Sequence, residues 1–413
     1  MAETAVVVTG LGTTNPLGGD VASTWQAALA GRSGVRTLEN DWAEHYEIPV
    51  GFAGQLAVPA DEVLERRETR RMDPSAQYAM IAARQAWADA GSPEVDGDRL
   101  GTVIASGIGG VWTILGAWDT IKEKGARRVM PMTVPMLMPN SPAANVSVAF
   151  GARAGAHTPV SACASGAEAV GYGLEMIRRG TADMVLVGGT EAAIHPMPIA
   201  SFAKMQALST RNDDPAGASR PYDVDRDGFV MGEGAGVLVL ESAEHARARG
   251  ARVYAEVAGV GMTADAYDIA PPDPSGHQQE RAMRLALADS DSDGTDLVHV
   301  NAHATSTPVG DGIEAAALRR SLGSRTDQIA VSATKSMTGH LLGGAGALES
   351  ILTILALVER TAPPTINVVQ VDPGIEIDLV RDTPRELPAG QIAAVNNAFG
   401  FGGHNVAVLF RSV

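Results

Sequence analysis

The sequence has one cysteine, Cys163, in Pro159-Val160-Ser161-Ala162-Cys163-Ala164-Ser165-Gly166-Ala167-Glu168. There an extended run gives way to small residues and then to an amphipathic helix ending near Arg179-Gly180. A thiol at a helix start meets unpaired amide donors, which favour a thiolate and can hold an oxyanion, while Ala and Gly neighbours leave room for a substrate. On frequency alone such a cysteine is a buried structural residue. Two histidines change the balance. His303 lies in Asn301-Ala302-His303-Ala304-Thr305-Ser306-Thr307-Pro308, directly after a strand-like run, and His340 lies in Lys335-Ser336-Met337-Thr338-Gly339-His340-Leu341-Leu342-Gly343-Gly344. Either alone reads equally well as structural. One cysteine with two histidines at strand-to-loop and loop-to-helix junctions suits thioester chemistry, because imidazoles can donate hydrogen bonds to a thioester carbonyl as it becomes an enolate.

Other residues offer support without deciding anything alone. Lys335 and Glu349 can form an ion pair or be ordinary structural charges, and their spacing does not place them together. Asn396-Asn397-Ala398-Phe399-Gly400-Phe401-Gly402-Gly403-His404-Asn405 sets two phenylalanines among glycines between two strand-like runs, which reads as a flexible aromatic gate, as a tight hairpin, or as both. Arg66, Arg67, Arg70 and Arg71 recur at helical spacing, and Arg127 with Arg128 forms a second basic cluster. Such charges are usually a solvated helix face, but they would also suit an acidic, phosphate-bearing partner. Gly10-Leu11-Gly12 follows a strand, yet Asn15 stands where a dinucleotide fingerprint needs its third glycine, and no Walker lysine motif occurs. No nucleotide cofactor is implied.

The elements that must position these residues are short β-branched runs alternating with alanine-rich helices. Val6-Val7-Val8, Thr102-Val103-Ile104, Met184 to Val187 and Val237 to Leu240 form one series of strands. After a helical, charged segment from Glu241 to Arg252, a second series runs through Val253 to Val257, Leu297 to Val300, Ile329 to Val331, Ala393 to Val395 and Val406 to Leu409. The alternation indicates buried, partly parallel sheets. The chain restarts near residue 251. Val160-Ser161-Ala162-Cys163 and Val331-Ser332-Ala333-Thr334 look like counterparts, which would put a site built by both halves near a pseudo-two-fold axis.

Bulk properties narrow the class. A chain of 413 residues, 45% hydrophobic, exceeds the length at which one core usually splits. A net charge of -16 argues against nucleic acid and anionic membrane surfaces as partners. A single cysteine excludes an internal disulfide and offers no zinc or iron-sulfur cluster, so no metal is expected and a reducing cytoplasm fits. The start, Met1-Ala2-Glu3-Thr4, has no basic region of the secretory kind, and no apolar run reaches the roughly 20 residues that span a bilayer.

Taken together, Ser161 to Gly166, Asn301 to Pro308, Lys335 to His340 and Phe399 to Asn405 resemble the β-ketoacyl-acyl carrier protein synthases, most of all the elongating synthase II type. Arg220-Pro221-Tyr222-Asp223 and Asp227-Gly228-Phe229 extend the resemblance over essentially the whole chain. It implies an α/β thiolase fold: two pseudo-symmetric halves with mixed sheets, 1–250 carrying the cysteine and 251–413 carrying both histidines and the gate, stacked as α-β-α-β-α layers and normally a homodimer. It implies that Cys163 takes an acyl group from acyl carrier protein, with the backbone amides of Cys163 and Phe401 as oxyanion hole. His303 and His340 would then bind a malonyl thioester, promote loss of carbon dioxide and stabilise the carbanion that attacks the acyl-cysteine. Lys335 and Glu349 would order the histidines, Thr305 and Thr307 would hold pantetheine, and Phe401 would gate the pocket. Ile108, Ala162, Ala193, Phe202 and Leu342 would line the acyl channel, and the two arginine clusters would meet the carrier protein. No cofactor is expected beyond the phosphopantetheine that carries the substrates. Ala304, Pro198, Gln206 and His404 depart from the family pattern.

Neighbouring classes fit less well. A thiolase needs a second catalytic cysteine, the initiating synthase III class pairs its cysteine with histidine and asparagine, and a non-catalytic chain-length partner lacks the nucleophile. The ketosynthase subunit of an aromatic polyketide system uses the same triad, and motifs do not separate it from the fatty-acid enzyme.

Overall fold

The computed structural model describes all residues except 1–3, 291 and 293, so Met1, Ala2 and Glu3 of the non-basic start lie outside the described residues. Ten strands form one mixed sheet: β1 (Val6–Thr14), β2 (Leu100–Ala105), β3 (Ala156–His157), β4 (Met184–Glu191), β5 (Gly234–Ser242), β6 (Ala255–Ala264), β7 (Leu297–Asn301), β8 (Ala330–Ser332), β9 (Ala393–Gly400) and β10 (His404–Arg411). Their order is β8-β7-β9-β10-β6-β1-β5-β4-β2-β3. Outward from the β6–β1 junction, both sides pair in the same sense: two antiparallel contacts and then two parallel ones. The junction itself is short, with Val7 opposite Glu256 and Val8 opposite Ala255.

Helices fill three layers around this sheet. The ones that matter for the site are α1 (Pro74–Asp89), α2 (Val111–Lys124), α3 (Ser165–Arg178), α4 (Pro196–Lys204), α5 (His277–Asp289), α6 (Gly310–Leu322) and α7 (Ala345–Val358). α1 covers the outer face of β1, β5 and β4, and α5 covers β6 and β10 with α6 beside it. Between the two halves of the sheet lie α3 and α7, packed against each other. The result is the α-β-α-β-α layering of the thiolase fold. Ala345 to Leu357 of α7 is buried without interruption, its three polar residues Glu349, Ser350 and Thr353 included, because the helix is covered on all sides. Among the described residues no helix is long and apolar enough to cross a membrane.

Glycines set the closest approaches. Gly10 and Gly12 lie within β1, and a Cβ there would fall 2.2 Å from the Ala86 carbonyl oxygen and 2.1 Å from that of Ala82. The pair lets α1 lie close on the strand, which gives the two glycines a packing role. Gly166 of α3 and Gly346 of α7 do the same for the central helix pair: added Cβ atoms would meet Ala347 N at 2.8 Å and Ala167 N at 2.6 Å.

Three boundaries differ from the sequence expectations. The segment Glu241 to Arg252 is helical only over Ala243–Ala248, because β5 runs on through Ser242, whose hydroxyl then caps the helix by accepting from His245 N. β6 begins at Ala255, leaving Val253 and Tyr254 outside it. The backbone counterpart of the cysteine turn is not Val331 to Thr334. A 3-10 turn at Ala162–Ala164 leads into α3, and a 3-10 turn at Leu342–Gly344 leads into α7, with left-handed φ of 49° at Ala162 and 48° at Leu342. Gly343 is therefore the equivalent of Cys163.

Candidate active site

Cys163, His303 and His340, distant in sequence, line one cavity of about 440 Å³ together with Phe202, Leu342 and Phe401. The cysteine sits in the 3-10 turn ahead of α3, fastened by Ser165, whose hydroxyl accepts from Ser161 N at 2.9 Å and donates to the Ala162 carbonyl at 2.6 Å. Gly400 passes directly over this turn, where a Cβ would lie 2.5 Å from the Ser161 carbonyl oxygen. That approach brings the Phe401 N–H to the thiol, beside the N–H of Cys163 itself. Burial pushes the thiol up to about 12, against the pull of Lys335 and of these two amides.

The histidine rings face each other edge to face, centroids 5.4 Å apart. His303 follows β7, and its N–H donates to Glu314 Oε1 of α6 at 2.9 Å. The His340 N–H donates to the Val230 carbonyl at 2.7 Å. Phe399 packs on His303 and Phe229 on His340. Burial, reinforced by the Lys335 cation, holds both imidazoles well below their ordinary value of 6.5, so both are neutral at neutral pH. Both ring nitrogens of His340 and Nδ1 of His303 have no hydrogen-bond partner among the described residues.

Lys335 and Glu349, which spacing alone did not bring together, form a buried ion pair at 2.5 Å. Burial raises the Glu349 carboxyl and Lys335 opposes the rise. Two further carboxyls escaped the sequence reading. Glu314 accepts from the N–H groups of His303 and Ala304 and from Asn397 Nδ2. Glu191, at the end of β4, accepts from Ser106 Oγ, Gly107 N and Gly343 N, tying a loop after β2 to the turn that carries Leu342. Burial pushes Glu191 up to about 7. A lone acidic residue on a helix or after a strand gives no signal in sequence of being buried.

The remaining expected site residues fall in different places. Thr305 and Thr307 line the cavity with hydroxyls 3.2 Å apart. Ala193 is buried in the apolar cluster that includes Cys163 and Leu342 but does not itself line the cavity. Ile108 and Ala162 do not line the cavity, and Ile108 is 40% exposed. Arg66, Arg67, Arg70, Arg71, Arg127 and Arg128 are all exposed and stand outside the cavity lining. Of the departures from the family pattern, Ala304 and Gln206 line the cavity, Pro198 is buried in α4, and His404 opens β10 half-buried. Among the described residues no group of three or more His, Cys, Asp or Glu is placed to hold a metal ion.

The family description "Beta-ketoacyl synthase, N-terminal domain" matches residues 3–246, and "Beta-ketoacyl synthase, C-terminal domain" matches residues 254–369. The chain belongs to the beta-ketoacyl synthase family. Among beta-ketoacyl synthases it is 45% identical over 406 residues to the 3-oxoacyl-[acyl-carrier-protein] synthase 2 of Mycobacterium tuberculosis, covering 98% of this chain and 96% of that protein. It is 44% identical over 409 residues to the enzyme of the same name from Staphylococcus aureus, covering 98% of both. A solved beta-ketoacyl synthase from Burkholderia phymatum superposes with a TM-score of 0.89 at 38% identity, over 99% of this chain and 100% of the other. A type II polyketide ketosynthase, solved in complex with its acyl-carrier protein and bound to a hexaketide, superposes with a TM-score of 0.91 at 32% identity over the whole of both chains.

Proposed function

We propose that this beta-ketoacyl synthase is a fatty-acid elongating enzyme of the 3-oxoacyl-acyl carrier protein synthase II kind. The observation that carries the reading is a buried thiol with two backbone N–H groups at its sulfur, sharing one cavity with two neutral imidazoles. Cys163 attacks the thioester of an acyl carrier protein, the acyl group moves to sulfur, and the thiol proton leaves on the carrier's own thiol. The N–H groups of Cys163 and Phe401 hold the oxyanion of that step. Malonyl carrier protein then binds with its thioester oxygen on His303 and His340. Carbon dioxide departs, and the enolate carbon attacks the acyl-cysteine. The second oxyanion collapses, the Cys163 sulfur leaves and regains a proton, and a 3-oxoacyl carrier protein two carbons longer is released. Neutral histidines suit this role, since they act as hydrogen-bond donors rather than as a base for the thiol.

Lys335 and Glu349 hold the histidine loops in register, Thr305 and Thr307 take the pantetheine arm, and Phe401 gates the cavity. The residues 1–250 and 251–413 form the two halves, which meet through α3 of the first and α7 of the second. The arginines at 66, 67, 70, 71, 127 and 128 meet the acidic carrier protein. No cofactor beyond carried phosphopantetheine takes part, and the cytoplasm is its place. The chain works as a homodimer, a reading supported by exposed Ile114, Trp118 and Ile121 on α2 together with Ile108, Met130, Met132 and Val134. A second copy on this face would also cover Ile108, which is exposed and outside the cavity lining in the single chain.

The 32% identical polyketide ketosynthase supports a second reading, a polyketide or specialised-metabolite subunit. One assay tests both. The purified chain with acyl and malonyl carrier proteins is expected to release 3-oxo product from ordinary straight acyl chains with no second protein present. An absolute need for a different partner chain would favour the polyketide reading.

A further inference from the structure

The loop Thr305–Pro308 at the cavity is held in a shape that its own sequence resists. Ser306 is fully buried with φ at +72°, a left-handed backbone that a non-glycine residue keeps only where its surroundings enforce it. The enforcement comes largely from the segment 220–228. Arg220 N donates to Ser306 Oγ at 3.0 Å and Gly228 N to the Ser306 carbonyl at 3.1 Å. Asp311 Oδ1 accepts from Ser306 N at 3.1 Å and Thr307 N at 3.3 Å. Arg226 then grips the next two carbonyls: Nε donates to Thr307 O at 3.1 Å and Nη2 to Pro308 O at 2.9 Å. Its Nη1 is fixed from behind by the Asp223 carbonyl at 2.8 Å and Asp372 Oδ2 at 2.9 Å. The left-handed turn aims Ser306 into the protein, and Thr305 and Thr307 on either side of it both line the cavity.

We propose that Arg226 and the left-handed Ser306 are positioning residues that keep the Thr305 and Thr307 hydroxyls as a fixed pair for the amide groups of a pantetheine arm. The inference rests on the condensing-enzyme reading above. A guanidinium is suited to the task because its planar fork meets two adjacent carbonyls at a set spacing, which a lysine ammonium cannot do. Arg226 is buried, its hydrogen bonds run to backbone carbonyls and one carboxylate, and it stands outside the cavity lining. It acts through the loop. Without the grip Ser306 would relax to negative φ and carry one hydroxyl away from the other.

The test is single-turnover acylation of Cys163, followed by intact mass, with two hexanoyl donors: the pantetheine thioester and the S-ethyl thioester, which has no amide. Arg226→Lys and Ser306→Ala are each expected to cut the preference for the pantetheine donor, taken as the ratio of half-saturating concentrations, by about tenfold. A purely structural role would move both donors together and leave the ratio as it is in the unaltered protein, and that result overturns the proposal. Ser306→Ala loses only the bond from Arg220 N and keeps the strain that the surrounding bonds oppose, so it keeps the test decisive where Arg226→Lys fails to fold. Failure of the unaltered protein to acylate with either donor would count against the condensing-enzyme reading and not against the clamp.

Discussion

At Cys163, burial and hydrogen bonding pull in opposite directions, and burial wins: the thiol is pushed up to about 12 and is protonated at rest. Alkylation by iodoacetamide follows the thiolate fraction. Its rate is therefore expected to climb without a plateau between about pH 7 and about pH 9, and a plateau inside that range would show a thiolate at rest. In the proposed cycle the histidines act later. His303→Ala and His340→Ala should each slow condensation by about 100-fold or more and leave acylation of Cys163 much less affected, because the enolate forms only in the second step. Equal loss in both half-reactions, measured by quenched-flow mass analysis, would contradict that division. Cys163, His303 and His340 were legible in sequence because each stands among small or polar residues at the end of an apolar run. Glu314 and Glu191 were not, since their importance lies in backbone N–H groups from distant loops, and no local pattern records those partners.

Strands were easier to read than their ends. β-branched runs marked most of the sheet, but the two-residue β3 has no hydrophobic signature, and the Ser242 cap lay hidden inside a charged stretch that looked helical throughout. The two turns before α3 and α7 match in backbone shape rather than in residue type, which is why the sequence pairing settled on Thr334 instead of Gly343. One buried residue of β7 gives a direct test of the packing. Burial lowers the His299 imidazole from 6.5 to about 3, and neither ring nitrogen has a partner among the described residues. As pH falls below 6.5 the unfolded chain takes up a proton there that the folded chain refuses until about 3. Stability from this site is thus lost as pH drops through the window, by up to about 1.4 kcal/mol per pH unit. His299→Phe keeps the bulk and removes the titration, so its melting temperature should gain on the parent's as pH falls from about 7 to about 4. A constant difference across that range would contradict the burial of an uncharged imidazole.

For the whole molecule, the symmetric strand order and the central pair α3 and α7 explain why residues so far apart in sequence meet. The cysteine turn and the Leu342 turn both precede these helices, and Gly166 and Gly346 let them approach closely enough to close one cavity. Sequence alone points to a restart and to a site near a pseudo-two-fold axis, but not to the Leu342 turn as the partner of the cysteine turn. The exposed apolar face around Trp118 belongs to the same scale. Sedimentation equilibrium should give twice the chain mass, and Trp118→Glu should shift the protein towards monomer; a monomeric parent would remove the homodimer from the account. The central claim is tested most directly by intact-mass measurement of the protein incubated first with hexanoyl carrier protein and then with malonyl carrier protein. The account predicts a hexanoyl gain located at Cys163 and its loss on the second addition as a 3-oxo product two carbons longer appears, whereas a chain that gains no acyl mass, or gains it elsewhere, would contradict it.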